Sequence, residues 1–164
     1  MPANAQPARV FEVAGALLNS YAIDDRINHY LVRNLANEAW KMAPPGGQGR
    51  SISAIFAHVH NARLMWLKAA GYQGAMPEKL EADCSQERAI AALEASCAAL
   101  STLIGAALAG DGRIKGFKPD VAGFLGYLIA HDAHHRGQAS LLARQLGFPL
   151  SKSANFGMWE WGVR

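Results

Sequence analysis

The sequence contains little that marks a secreted, disordered or membrane-spanning protein. It has two cysteines, Cys84 and Cys97, in 164 residues, too few for the disulfide framework of a small secreted domain, so we expect reduced thiols. The opening residues, MPANAQPARVFEV, lack the cationic cluster and apolar run of a signal peptide. Hydrophobic residues make up 51% and charged residues 18% of the chain, which is too apolar for disorder. A cytoplasmic protein is predicted.

Long apolar runs are also scarce. The segment from Val121 to Ala130 is taken as the longest candidate, about half of the roughly 20 residues that a spanning helix needs, and it contains two glycines. No membrane association is therefore expected. The length of 164 residues predicts one domain over residues 1–164.

Charge of one sign is not concentrated in any segment. The formal net charge is +3, and the 16 Lys and Arg residues never form a run of three. Proteins that bind nucleic acid concentrate positive charge in a stripe or patch. Nucleic acid is therefore not expected as a partner.

What the sequence does contain is helical periodicity along almost its whole length, without the strict alternation of half-buried strands. Segments rich in Pro and Gly separate four predicted helices, over about residues 9–37, 51–70, 85–108 and 120–146. Ser51 and Asp120 are suited to cap helix N-termini, and Gly147 to end the last helix. This pattern predicts an all-α fold, a four-helix bundle, followed by a short aromatic tail at 156–162 that packs over one end, covers a site or contacts a second copy.

Five of the six histidines fall in two of these helices. At about 100° per residue from Phe124, His131 and His135 fall near −20° and +20°, inside the apolar stripe of the last helix. Imidazoles at this spacing project side by side and can share one metal ion. Each ring is polar and lacks an obvious buried acid partner in its own helix, which favours a metal site over a hydrogen-bonded core pair.

A third ligand is expected from the second helix, which carries His58 and His60 on different faces. Counted from Ile52 at about 100° per residue, His60 falls near +80° and His58 near −120°, so periodicity weakly favours His60 and leaves the choice open. Gln138, near −40° from Phe124 on the same count, is a candidate to hydrogen-bond a ligand or a bound water, or else a core amide.

The other polar residues near these histidines have structural interpretations. Asp132 precedes Arg136 by four residues, the favourable order for an exposed ion pair, although Asp132 could also support a ligand. His134 is expected at the flank of the stripe. His29 is expected at the surface or in the core, and its neighbour Asn28 could line a pocket. No Ser-His-Asp set or carboxylate pair indicates metal-free catalysis.

The segment HDAHHRGQ, from His131 to Gln138, resembles the H-x-x-x-H-R-G-Q motif on the last helix of the DinB/YfiT-like family of four-helix-bundle metalloproteins. The segment SISAIFAH, which ends at His58 and precedes Trp66 by eight residues, resembles the signature of that family's second helix. The resemblance covers nearly the whole chain. It implies that His58, His131 and His135 bind zinc, nickel or a similar divalent ion, with His60 as the alternative ligand or a neighbour of the site.

The family resemblance also implies an intracellular protein. Some members of the family are thought to be transferases or isomerases that use a low-molecular-weight thiol. Three neutral imidazoles leave an ion with an open coordination position, where a bound water or thiol loses its proton near neutral pH. We therefore predict a metal-dependent hydrolase or thiol-transferase that acts on a small molecule. The alternatives are a non-catalytic stress-response bundle that binds metal or an apolar ligand, and a metal-free cluster of hydrogen-bonded histidines. Similar proteins are often dimers, so a homodimer is expected.

Overall fold

The computed structural model describes residues 11–164, and over those residues the chain forms six helices and no strand. They are α1 (Val13–Asn34), α2 (Asn37–Trp40), α3 (Ile52–Ala70), α4 (Gln86–Ala109), α5 (Val121–Gln145) and α6 (Lys152–Gly157). The all-α fold class and the four long helices are confirmed. The predicted start of the first helix near Arg9, and most of the segment tested for a signal peptide, lie outside the described residues.

Helix ends follow local chemistry as predicted at three places. The side chains of Ser51 and Asp120 accept hydrogen bonds from backbone N–H groups in the first turns of α3 and α5. Gly147, just after α5, has a φ of +88°, a left-handed conformation that glycine adopts without strain.

The first helix ends three residues earlier than predicted. Leu35 and Ala36 are extended, with ψ values of 138° and 133°, and the short α2 begins after them. The side chain of Gln86 donates hydrogen bonds to the carbonyls of Val32 and Leu35, which a longer helix would have used itself. A contact from a distant helix therefore sets this boundary.

The long helices are arranged so that α4 and α5 each lie against both α1 and α3. Their buried apolar residues form two separate clusters. One surrounds Trp40 and Phe56, and the other surrounds Leu100 and Phe124. Between the two clusters, the inward positions of α1, α3 and α5 carry polar and charged residues. The bundle thus has a polar layer across its middle, at the level of the α5 histidines.

The most apolar helix is α4, which the sequence analysis did not single out. Among the residues that the structure describes, α4 is the helix whose length and composition would allow it to cross a membrane. The choice of 121–130 as the longest apolar segment was therefore wrong. The core helix of a bundle passes the same test, and α4 packs against both α1 and α3. The absence of membrane association stays a prediction.

The aromatic tail is held to α1 through an arginine. The guanidinium of Arg164 stacks on the ring of Tyr30 at 3.8 Å, and its Nε donates to the carbonyl of Gly157. Phe156 and Trp159 remain 71% and 80% exposed. The tail lacks a long helix, as predicted, but two of its large rings face outward.

Candidate metal centre

Three histidines from two helices come together at the junction of α3 and α5. His58, His131 and His135 each offer an imidazole nitrogen, and these nitrogens all lie within 4.8 Å of one another. The ring centroids are 4.7 Å apart for His58 and His135, 5.4 Å for His58 and His131, and 4.5 Å for the pair on α5. We call these three residues the histidine cluster.

The cluster lies at the edge of the bundle rather than inside its core. His58 and His131 are half-buried, whereas His135 is buried. One turn of α5 separates His131 from His135, so their rings leave the helix on the same side. Because α3 lies against α5, His58 reaches the pair from the flank of its own apolar stripe. The cluster is therefore open to solvent on one side.

His60 has a different environment. It is fully buried, and its Nε2 lies 2.8 Å from the carbonyl oxygen of Glu78, which can only accept the hydrogen bond. Periodicity correctly placed His60 on the inward face of α3, but that face meets the core and the segment around Glu78. The structure brings His58, and not His60, to the two histidines of α5.

Gln138 contacts the cluster from the solvent side. Its Oε1 lies 2.8 Å from His135 Nδ1, and its Nε2 lies 2.9 Å from Nε2 of the exposed His134. An amide oxygen only accepts, so His135 carries its proton on Nδ1 and keeps the Nε2 lone pair free. The inward orientation predicted for Gln138 was wrong, because the side chain is exposed, whereas contact with a histidine of the cluster is observed.

The wrong orientations predicted for Gln138 and Asp132 have one geometric origin. The buried positions of α5 are Val121, Phe124, Leu125, Leu128, Asp132, His135, Ala139, Leu142 and Ala143. Their mean direction lies about 50° from Phe124 on the count of 100° per residue. Centring the stripe on Phe124 therefore moved Gln138 into the core and Asp132 out of it.

Burial keeps two rings of the cluster neutral. Desolvation lowers the pKa of His135 to about 4, with the nearby histidines adding to the effect and the hydrogen bond to Gln138 opposing it. Desolvation, Arg50 and His131 together lower the pKa of His58. Metal ions compete with protons for imidazole nitrogens, so these shifts favour metal binding at neutral pH.

A network of buried charges lies directly behind the cluster. Arg63, which is 1% exposed, donates through Nη1 to Asp25 at 2.7 Å and through Nη2 to Oδ2 of Asp132. Asn28 donates to the same Oδ2 at 2.8 Å. Asp132 Oδ1 lies 3.6 Å from Nδ1 of His131.

The predicted ion pair between Asp132 and Arg136 is not formed. Arg136 instead donates to Asp24 at 2.6 Å and to the side-chain oxygen of Asn28 at 2.7 Å. Asn28 is 1% exposed and lies inside this network, with no open face toward a pocket. His29 is a core residue, 3.3 Å from the second oxygen of Asp25. We call the residues Asp24, Asp25, Asn28, Arg63, Asp132 and Arg136 the buried ionic layer.

Sequence reasoning missed this layer although a signal was present. Arg63 falls near +20° from Ile52 on the count of about 100° per residue, at the centre of the apolar stripe of α3. Arginine is almost never fully buried unless it is paired. A cation at that position therefore predicts buried carboxylates on neighbouring helices.

The two carboxyls at the ends of the layer have opposite pKa shifts. Burial acts to raise the pKa of Asp132, but the charge of Arg63 and the hydrogen bonds from Arg63 and Asn28 oppose it, and the net pKa is well below its usual range. Burial raises the pKa of Asp24 to about 7 against the opposing effect of Arg136. Asp132 is therefore a stable carboxylate near the histidine cluster.

Comparison with protein-family models gives a match over most of the chain. The model of the DinB family matches residues 1–154 of this chain. No curated protein and no solved structure matches it.

Proposed function

The chain belongs to the DinB family, and we propose that it binds one divalent metal ion through His58, His131 and His135. We further propose that the ion serves a hydrolase or thiol-transferase reaction on a small molecule. The observation that carries the proposal is the convergence of three imidazole nitrogens within 4.8 Å at a solvent-facing edge.

The chemistry of the donors fits a transition metal. Imidazole nitrogens suit zinc, nickel, copper and iron, and we propose zinc or nickel. A tetrahedral zinc site with bonds of roughly 2.1 Å separates its ligand atoms by about 3.4 Å. The nitrogens of the cluster, which lie within 4.8 Å of one another, would therefore approach by about 1.4 Å at most around an ion, a shift within the reach of side-chain rotation. Because His135 holds its proton on Nδ1, its Nε2 is the nitrogen available to the ion.

An enzymatic role is supported by exposure and by ligand number. A divalent ion held by three neutral imidazoles supplies Lewis acidity toward a water or a thiol. His58 and His131 are reachable by solvent, which gives a small molecule access to the cluster. Gln138 maintains the tautomer of His135 and is placed to hydrogen-bond a molecule entering from the exposed side.

Metal content provides the first test. Untagged protein is expected to contain about one equivalent of zinc or nickel by elemental analysis, and the His131→Ala, His135→Ala double variant to contain none. His134→Ala is the matched control, since His134 is exposed on the same helix and outside the cluster, and it should keep the metal. Stoichiometric metal in a folded double variant would contradict the proposal.

The alternative, a non-catalytic metal-binding bundle, is favoured by one feature. The cluster of candidate ligands holds no carboxylate or cysteine among residues 11–164 to act as a general acid or base. Cobalt-loaded protein separates the two roles. A new sulfur-to-cobalt absorption band on addition of 2-mercaptoethanol supports an open position, whereas spectra unchanged by thiol and by azide support the non-catalytic role.

The homodimer and the cytoplasmic location are further parts of the proposal. Both cysteines are free thiols, consistent with a reducing compartment. The exposed rings of Phe156 and Trp159 offer apolar area for a contact with a second copy. Sedimentation equilibrium should give a dimer for the natural chain and a monomer for Phe156→Ser, Trp159→Ser. A monomeric natural chain would end this part of the proposal.

A further inference from the structure

Two carboxylate oxygens of the buried ionic layer, Asp24 Oδ2 and Asp132 Oδ1, are buried without a hydrogen-bond partner among the described residues, and the second lies near the histidine cluster. Asp132 Oδ2 accepts hydrogen bonds from Arg63 and Asn28, which fixes the carboxylate in one orientation. The other oxygen, Oδ1, is buried and has no hydrogen-bond partner among the described residues. A buried carboxylate oxygen without a donor is costly, so this atom calls for an explanation.

An imidazole of the histidine cluster lies close to Asp132 Oδ1 across the boundary of the layer. Nδ1 of His131 lies 3.6 Å from Asp132 Oδ1. That distance is within ion-pair range and is about half an ångström longer than a hydrogen bond, so a small rotation of the ring closes it. With a proton on Nδ1, His131 would present the lone pair of Nε2 to a metal ion, as His135 does through Gln138.

We propose that Asp132 is a positioning residue for the metal centre, which accepts the Nδ1 proton of His131 and thereby fixes the tautomer and orientation of that ligand. This inference rests on the proposed function for its effect on metal binding, whereas the tautomer is a property of the metal-free protein. Carboxylates behind metal-bound histidines act in this way and change metal affinity about 10–100-fold. Arg63 and Asn28 contribute by holding the carboxylate in place.

The substitution Asp132→Asn makes a specific prediction. Arg63 and Asn28 both donate toward the position of Oδ2, so the new amide oxygen is expected there and the new NH2 group at the position of Oδ1. A donor would then face Nδ1 of His131, which favours the tautomer with the proton on Nε2. That tautomer blocks the nitrogen needed by the metal.

Asp25→Asn is the matched control. Asp25 is also a buried carboxylate bound to Arg63, but it faces His29 and not His131. A merely structural role of the layer predicts similar effects of both substitutions on the metal site, whereas the positioning role predicts an effect of Asp132→Asn alone.

The experiment measures ring nitrogen chemical shifts of ¹⁵N-histidine-labelled, metal-free protein at pH 8, together with Co²⁺ affinity by absorption titration. The natural chain and Asp25→Asn should carry the His131 proton on Nδ1, and Asp132→Asn should carry it on Nε2. Co²⁺ should bind at least about tenfold more weakly to Asp132→Asn and within about twofold of normal to Asp25→Asn.

Three outcomes would overturn the inference. They are a His131 proton on Nε2 in the natural chain, a tautomer unchanged by Asp132→Asn, and equal losses of Co²⁺ affinity in the two variants. The first needs no variant, so it decides the matter even where Asp132→Asn does not fold. If the natural chain binds no metal while His131 holds its proton on Nδ1, the proposed function fails and the positioning contact stands.

Discussion

The histidine cluster and the buried ionic layer are neighbours on α5 and differ in how their polar groups are satisfied. In the layer, Arg63 and Arg136 are each bound by carboxylates from other helices, and both guanidinium groups are largely enclosed. In the cluster, nitrogens of three rings approach one another without a bond among them. The polar groups of the buried ionic layer therefore bind one another and support the fold, whereas the imidazole nitrogens of the histidine cluster remain available to bind a ligand.

The difference follows from burial. A charge in the layer must be matched inside the protein, because water cannot reach it. An imidazole at the edge of the bundle can stay neutral at little cost. Desolvation favours the neutral form, because it lowers the pKa of His58 and of His135. We therefore expect substitutions in the layer to change stability and substitutions in the cluster to change metal binding.

Arg63→Met should give the largest effect. The substitution leaves Asp25 and Asp132 buried without their cation, which costs about 3–5 kcal/mol in the free energy of unfolding. Denaturation of metal-free protein measures it. Arg88→Met is the matched control, since Arg88 is 66% exposed and 3.9 Å from Glu78, and it should cost less than about 0.5 kcal/mol. Equal effects would mean that the layer does not support the fold.

His58→Leu and His60→Leu, both on α3, should separate metal binding from stability. His60→Leu leaves the carbonyl of Glu78 without its donor and should cost about 1–3 kcal/mol of stability with metal content unchanged. His58→Leu should keep the stability within about 0.5 kcal/mol and weaken metal binding at least 100-fold. Chemical denaturation and metal titration test both. Loss of metal in His60→Leu alone would reverse the assignment.

Gln138→Ala should weaken metal binding although Gln138 is not itself a proposed ligand. Without the amide oxygen, His135 loses the group that holds its Nδ1 proton, and metal affinity should fall about tenfold. The exposed position predicts a stability change within about 0.5 kcal/mol. Gln145→Ala, an exposed amide at the end of α5, is the control and should leave both quantities unchanged. A drop in stability without a change in metal affinity would mean that Gln138 supports the fold, as the buried ionic layer does, and not the metal centre.

The pH dependence of stability should show the smallest effect. The folded-state pKa of His135, about 4, lies below its usual value of 6.5. The contribution of neutral His135 to the free energy of unfolding is therefore complete above pH 6.5 and is lost as pH falls toward 4. Between pH 6.5 and pH 5.5, metal-free natural protein should lose about 1 kcal/mol more than His135→Leu.

Asp24 has a contribution of opposite sign, because its pKa is raised to about 7 and its stabilising effect grows as pH falls. It is present in both proteins and cancels in the difference. His134→Leu, at an exposed position, serves as the control and should follow the natural chain. An identical pH profile for His135→Leu would mean that His135 is not desolvated.

Much of the fold was predictable because its signals are local. Ser51, Asp120 and Gly147 mark helix ends through chemistry that acts within one turn. The spacing of His131 and His135 likewise places two rings on one side of α5 whatever surrounds it. Periodicity alone did not select His58, which the family resemblance did.

The errors came from contacts between helices. The partner of Asp132 is Arg63 on α3, and that of Arg136 is Asp24 on α1, so a rule for neighbours on one helix chose the wrong pair. Gln138 was placed inward because the centre of a stripe depends on how α5 is rotated against α1 and α3, which a single helix does not record.

The sequence by itself determined the four long helices, the starts of α3 and α5, the end of α5 and the side-by-side histidines of α5, because hydrogen bonds and periodicity within one segment are sufficient for these. Only the tertiary structure decided that His58 lies beside that pair and that His60 contacts the carbonyl of Glu78. It also decided that Arg63 binds two buried carboxylates behind the cluster. The rotation of packed helices against one another fixes those contacts, since it sets which side of each stripe meets a neighbour and which meets water.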